Sequence, residues 1–375
     1  MRITAITTEQ LVLGLDPPFH AAWDPVPRTS FEATLVRVHT DEGLVGVASG
    51  DRLDGLGPYA GLFVGEDPLR LARHARTLET IELHAGRPWA LEAALWDLAG
   101  QALGVPCATL LGGACDRLPA YASLGELRGP RERADDVAAL RQAGFRAVKV
   151  RIAHDRIADG LSAVAAMREA AGDAMAILVD LNQWWRMAGD TAPGLSVPEA
   201  RRVVEELRDL DVAWVEEPLP GGDLAGMRLL REQTGMPIAG GEMARSLGEL
   251  LTALDRDALD VFQPDVVLAL GMGRTRTLAE LVLARNRRFT PHTWTNGIGL
   301  LANLHVVCGV GGGPWVEFPY DPPAWTPERR DFMLATPVRV EADGSVAVPP
   351  HPGLGVVLDE EAVAFHGSGA CELMA

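Results

Sequence analysis

The segment "FRAVKVRI", residues 145–152, alternates as a strand does, with Phe145, Ala147, Lys149 and Arg151 on one face and Arg146, Val148, Val150 and Ile152 on the other. Side chains two apart in a strand share a face, so Lys149 and Arg151 point the same way near its end. Unpaired buried charge is costly. Two cations on one face of an apolar strand therefore call for an anion between them.

The same kind of segment recurs along the chain: "LPAYASL", "FRAVKVRI", "MAILVDLN", "VAWVEEP", "MPIAGGE", "LDVFQPDV", "RRFTPH" and "PWVEFP". Between them, stretches such as "VPEARRVVEELRDL" and "GMGRTRTLAELVLARN" carry helical apolar spacing. This alternation predicts an α/β fold, a (β/α)8 TIM-type barrel over residues 116–325. Residues 1–115 read differently. "SFEATLVRVHTDEGLVGVAS" predicts a hairpin around an Asp-Glu-Gly turn. "RPWALEAALWDLAGQALG" places Leu91, Ala94, Leu95, Leu98 and Ala102 on one helical stripe that stops at Gly104 and Pro106. The expectation is an α+β capping domain, completed by residues 326–375, a tail that has hairpin character at "PVRVEADGSVAVPP" and is expected to return to the cap.

The chain has 375 residues, 47% hydrophobic and 23% charged, with a formal charge of −17. That length divides naturally into one large and one smaller domain. The acidic balance argues against nucleic acid or an anionic membrane as a partner. Cys107, Cys115, Cys308 and Cys371 are scattered, with no metal-type spacing, so reduced thiols and a cytoplasmic enzyme are expected. Neither an apolar leader at "MRITAITTEQ" nor a membrane-length apolar run is present.

A barrel places its chemistry at the C-terminal ends of its strands. In order these ends offer Lys149 and Arg151, Asp180 and Asn182, Glu216 and Glu217, Glu242, Asp265, His292 and Glu317. One ionisable group per βα unit is a pattern that scattered surface charge does not produce. Asp180, Glu216 and Glu242 form an all-oxygen set on consecutive strands, which suits a hard cation such as Mg2+. Singly, each is as well explained as a helix cap or a salt bridge; together they repel unless a cation joins them. Only one residue of the Glu216-Glu217 pair can face the mouth, and alternation alone leaves open which.

The order Lys-x-Arg, Asp-x-Asn, Glu-Glu-Pro, Gly-Glu, Gln-Pro-Asp, Pro-His and a last-strand Glu resembles the enolase superfamily, and within it the mandelate racemase group. "ALWDLAGQALGVPCATLLGG" and "HPGLGVVLDEEAV" extend the likeness over nearly the whole chain. The resemblance implies that Asp180, Glu216 and Glu242 bind Mg2+. It also implies that His292, oriented by Asp265, moves the proton alpha to a substrate carboxylate, and that Glu317 is an electrophile. Abstracting that proton makes an ene-diolate, whose oxygens Mg2+ and Lys149 would face and to one of which Glu317, if protonated, could donate a hydrogen bond. Relatives with Lys at the second position of Lys-x-Lys have a further base there; Arg151 cannot accept a proton at neutral pH and is expected to clamp an anion. A single base, His292, fits dehydration of a sugar acid to a 2-keto-3-deoxy acid. The alternative is a racemase, epimerase or cycloisomerase of a carboxylate using Lys149 with His292; a non-catalytic barrel is the remote one. The family also implies a homo-oligomer, dimer or octamer.

The loop "DPPFHAAWDPVPRTSF", residues 16–31, is expected to close over the site, with His20, Trp23 and Arg28 against the far end of a polyol. In "NQWWRM", residues 182–187, Asn182 and Trp184 are further candidates for substrate contact, and Trp184 and Trp185 for narrowing the pocket or packing between barrel and cap.

Overall fold

A computed structural model describes residues 1–50, 53 and 55–373. Its centre is a ring of eight parallel strands: β4 (Arg117–Ser123), β5 (Ala147–Arg151), β6 (Ala176–Asp180), β7 (Val212–Glu216), β8 (Ile238–Gly240), β9 (Val261–Phe262), β10 (Arg288–Phe289) and β11 (Val316–Pro319). Ladder bonds run in the order β10-β9-β8-β7-β6-β5-β4-β11. The ring closes between β10 and β11 without a ladder. There Gly313 N donates to Phe289 O at 2.9 Å, and Thr293 N donates to the Glu317 carboxylate at 2.8 Å.

Helices lie between successive strands, and their sequences explain their limits. In Val197–Asp209, Ser196 and Glu199 form a capping box and Pro198 occupies the first turn, while Ala200, Val203, Val204 and Leu207 bury one stripe. Inside the ring, Tyr121, Ala147, Leu178, Trp214, Ala239 and Val261 form a sealed layer. Large and small side chains interlock there, Tyr121 meeting Trp214 edge-on at 5.9 Å. Two residues further along their strands, the same faces carry Ser123, Lys149, Asp180, Glu216 and Gln263. The polar floor of the mouth is thus the next layer above an apolar plug.

The hairpin expected near the start is present. β2 (Arg28–Thr40) and β3 (Val45–Gly50) pair antiparallel with Val36 opposite Ala48, and β1 (Ile3–Phe19) lies on the other side of β2. Helix Trp89–Leu103 packs on β3 so closely that a Cβ on Gly46 would stand 2.2 Å from Ala94 O. It ends at Gly104, whose φ of +69° is a left-handed cap. Asp97 of this helix accepts hydrogen bonds from Val47 N and Leu354 N, joining the cap to the C-terminal segment.

Within the C-terminal tail, "PVRVEADGSVAVPP" lies on the barrel rather than on the cap. Its strand β12 (Ser345–Ala347) pairs antiparallel with barrel strand β4, Val346 opposite Leu118. The cap sheet instead gains β13 (Cys371–Glu372), which lies against β1 in the order β13-β1-β2-β3. A hairpin-like sequence fixes its turn but not its partner strand, and the barrel edge took it. No helix among the described residues is long and apolar enough to cross a membrane.

Candidate active site

Lys149 and Arg151 enter the mouth side by side, and the anion between them is Asp180. Lys149 Nζ lies 3.7 Å from Asp180 and 2.8 Å from Glu317, and donates to Glu216 at 2.9 Å. Arg151 Nη1 donates to Asp180 at 2.5 Å and to Asn182 Oδ1 at 2.7 Å. The Arg151 guanidinium also sits 4.3 Å from the ring centre of Trp23, which belongs to the cap loop, and 5.5 Å from that of Trp294.

Asp180, Glu216 and Glu242 are buried and offer ligand oxygens that all lie within 4.8 Å of one another. Glu242 Oε1 accepts from Trp185 Nε1 at 2.6 Å, while its Oε2 has no hydrogen-bond partner and lies 3.2 Å from His292 Nε2. Burial, and after it the carboxylates of Asp180, Glu317 and Glu242, push Glu216 above the usual carboxylate range, against the pull of Lys149. A buried, all-oxygen, charge-crowded set of this kind fits a small hard divalent cation. In the Glu-Glu-Pro segment Glu216 is the residue that joins this set. Glu217 takes φ of +47° and accepts from Gly241 N.

His292 stands at the end of β10. Its Nδ1 lies 3.1 Å from Asp265 Oδ2, and Asp265 is itself fixed by Val267 N and Leu268 N. Burial works to lower the His292 pKa, but the charges of Glu242, Glu317 and Asp265 outweigh it and bring it up to about 9. The first of these carboxylates, Glu242, also belongs to the set that fits a cation. For Lys149 the balance has the same sign: Glu216, Glu317 and Asp180 overcome burial and raise its pKa.

At Glu317 two effects oppose each other. Its burial favours the neutral acid, but Lys149 and then His292 outweigh that and hold it well below the usual range. Both oxygens are acceptors, Oε1 from Ser123 Oγ at 2.6 Å and Oε2 from Thr293 N. In this arrangement Glu317 is a counter-charge to Lys149.

Above this floor lies a cavity of about 510 Å³, walled by His292, Glu242, Arg151, Trp185 and Trp294 from the barrel and by Trp23, Arg28 and Gly50 from the cap. Of the cap-loop candidates, Trp23 and Arg28 reach it, Arg28 paired with Asp24. His20 does not: it is exposed, and its backbone N donates to Glu126. Asn182 lines an adjoining cavity. Trp184 is absent from both walls and packs against Gly221 and Gly240, whereas Trp185 lines both. Ser123, Gln263, Thr293 and Trp294 were not singled out by sequence. Ser123 and Gln263 had a usable signal, since each lies two residues beyond an inward-facing strand residue.

Comparison with known proteins places this geometry. The chain is 28% identical over 389 residues to the D-galactarolactone cycloisomerase of Agrobacterium fabrum, covering 97% of this chain and 98% of that protein. It is 29% identical to the D-galactonate dehydratase of Xanthomonas euvesicatoria, over 96% of this chain and 93% of the other. A crystal structure of a racemase from Streptomyces coelicolor A3(2) with bound magnesium superposes with a TM-score of 0.83 at 26% identity, covering 97% of this chain and 99% of that one. The family described as enolase C-terminal domain-like matches residues 132–362. That match spans more than half of the sequence, and this chain belongs to the family.

Proposed function

We propose that the chain abstracts the proton alpha to the carboxylate of a sugar acid and expels the β-hydroxyl as water, giving a 2-keto-3-deoxy acid. Residues 116–325 would form the catalytic barrel, with residues 1–115 and 326–375 as its cap. The observation that carries this reading is electrostatic. Lys149 and Arg151 are pinned as cations by Glu216, Glu317 and Asp180, whereas His292 pairs through Nδ1 with Asp265 and lines the cavity, which makes its Nε2 the base.

Asp180, Glu216 and Glu242 would hold Mg2+, which when bound supplies positive charge for the carboxylate oxygens as the α-carbon loses its proton. Neutral His292 takes that proton at Nε2, with Nδ1–H donated to Asp265. Lys149 contributes a fixed charge to the same oxygens, and Glu317 keeps it in place. The imidazolium then returns its proton to the departing β-oxygen. The C–H and C–O bonds break, a C=C bond forms, and the enol tautomerises to the ketone. A homo-oligomeric assembly and a cytoplasmic location accompany this proposal on family resemblance.

One further outcome of the same chemistry is favoured by the cycloisomerase relative that matches 97% of the chain. If the β-oxygen belongs to a ring, the elimination opens the ring and no water leaves. The test is incubation with Mg2+ and a library of aldonic, aldaric and uronic acids, lactones and anhydro acids in D2O, followed by mass. Loss of one water supports dehydration, and a ring-opened product of unchanged composition supports the isomerase. An α-epimer carrying deuterium with neither change would overturn single-base elimination.

A further inference from the structure

Two of the free cysteines, Cys115 and Cys308, meet on the far side of the barrel from the mouth. Cys308 lies in the last turn of the helix Gly297–Val310, which runs between β10 and β11. The final carbonyls of a helix have no partner within it. Here the linker from the cap into β4 supplies the donors: Ala114 N donates to Gly309 O at 3.2 Å and Cys115 N to Cys308 O at 3.0 Å. Gly309 lets the linker come close, since a Cβ there would stand 2.5 Å from the Cβ of Leu111. A direct backbone hydrogen bond between two residues keeps their Cα atoms within about 7 Å, the range a disulfide can span.

The side chains meet as well. Cys115 Sγ donates to Cys308 O at 3.7 Å, and the two thiols are in hydrogen-bond contact. Cys308 is fully buried and Cys115 half-buried. Burial, and after it Cys115, push the Cys308 thiol up, so it stays protonated, and an oxidant arriving from solvent meets Cys115 first. The other two thiols stand apart. Cys107 is buried with its Sγ donating to Trp96 O at 3.3 Å, and Cys371 is exposed on β13.

Cys115 precedes β4 and Cys308 precedes β11, so both stand at the N-terminal face of the ring, where a barrel carries stability rather than chemistry. They are 193 residues apart in sequence, and the stretch between them holds every strand of the ring except β11.

We propose that Cys115 and Cys308 are a thiol pair that hydrogen peroxide converts to a disulfide, stapling the cap linker to the helix before β11. The Cys115 thiolate attacks one peroxide oxygen and the O–O bond breaks. The hydroxide released takes up the thiol's proton as water, and Cys115 becomes a sulfenic acid. The Cys308 sulfur then displaces that hydroxyl, which leaves with the Cys308 proton as a second water, and the S–S bond forms. Two thiols lose two electrons, and one peroxide is reduced to two waters. Because the loop it closes is long, the disulfide strongly restricts the unfolded chain.

The test uses the full chain carrying Cys371→Ser, which removes the exposed competitor. The protein is treated with hydrogen peroxide, quenched with catalase, unfolded in N-ethylmaleimide and digested without reductant for mass spectrometry. The expected result is one linked pair of peptides that carries Cys115 and Cys308 and is lighter than their sum by two hydrogens. Cys107 should be alkylated, and dithiothreitol should reverse the link. Oxidation should raise Tm by several degrees. Neither the link nor the rise should appear in Cys115→Ser, and Cys308→Ala should behave the same way. The proposal is overturned if Cys107, Cys115 and Cys308 are all alkylated, if Cys115 gains oxygen without a link, if Cys107 enters the link, or if the link forms and Tm fails to rise.

Discussion

Lys149 reaches Glu216 through both carboxylate oxygens, at 2.9 and 3.0 Å. An ammonium held this way in a buried site stays charged, and a charged lysine takes no proton. Substrate recovered after partial reaction in D2O should therefore show no α-epimer by NMR. Lys149→Met should lower kcat by about 10²–10³ through lost charge stabilisation. An α-epimer formed by the parent and lost in Lys149→Met would restore lysine as a second base.

Asp265 reaches the proposed reaction through His292, from which it lies 3.1 Å away. Asp265→Asn is expected to lower kcat by about 10²–10⁴ with a small change in KM, because the imidazole loses its fixed tautomer. His292→Asn should abolish α-proton exchange altogether. Exchange that persists in His292→Asn would mean another base.

The carboxylate set predicts a thermal response. Mg2+ at about 100 times its Kd should stabilise the fold by about 2.7 kcal/mol, a rise of several degrees in Tm. The rise should vanish in Glu216→Ala and in Glu242→Gln. A parent protein indifferent to Mg2+ would count against the site and in favour of a barrel without catalysis.

Glu92, in the cap helix, offers a test away from the mouth. Burial pushes its pKa up to about 7, although Gly273 N and Trp96 donate to it. An acid whose folded pKa lies above its unfolded value of 4.5 gives its full stability below that value. That stability is lost as the pH climbs toward 7. Glu92→Gln keeps an acceptor without the charge, so it should raise stability at pH 8 by about 1–3 kcal/mol and change little at pH 4. Equal Tm differences at both pH values would contradict a buried, titrating carboxylate.

The barrel was legible because its strands repeat one design, an apolar face ending in a polar residue, and alternation alone put Lys149 and Arg151 together. Legibility stopped where alternation stops. Asn182 takes φ of +47° just beyond β6, so residue parity no longer tells which side the following tryptophans face. Trp185 therefore met Glu242 while Trp184 went to packing. Glu217 has the same left-handed backbone one residue beyond β7. The surroundings of Glu317 were hidden for another reason: they depend on how closely Lys149 and Ser123 approach, and spacing in sequence carries no distances. The pairing of β12 with β4 escaped because a three-residue strand holds too little pattern to name its neighbour.

The sheet that covers the mouth takes its outer strand from residues 371–372, whereas its other strands precede the barrel. During synthesis the eight-stranded ring can therefore assemble while its cover still lacks an edge. The two residues that pair with Thr7 and Thr8 are then the last of that sheet to be made.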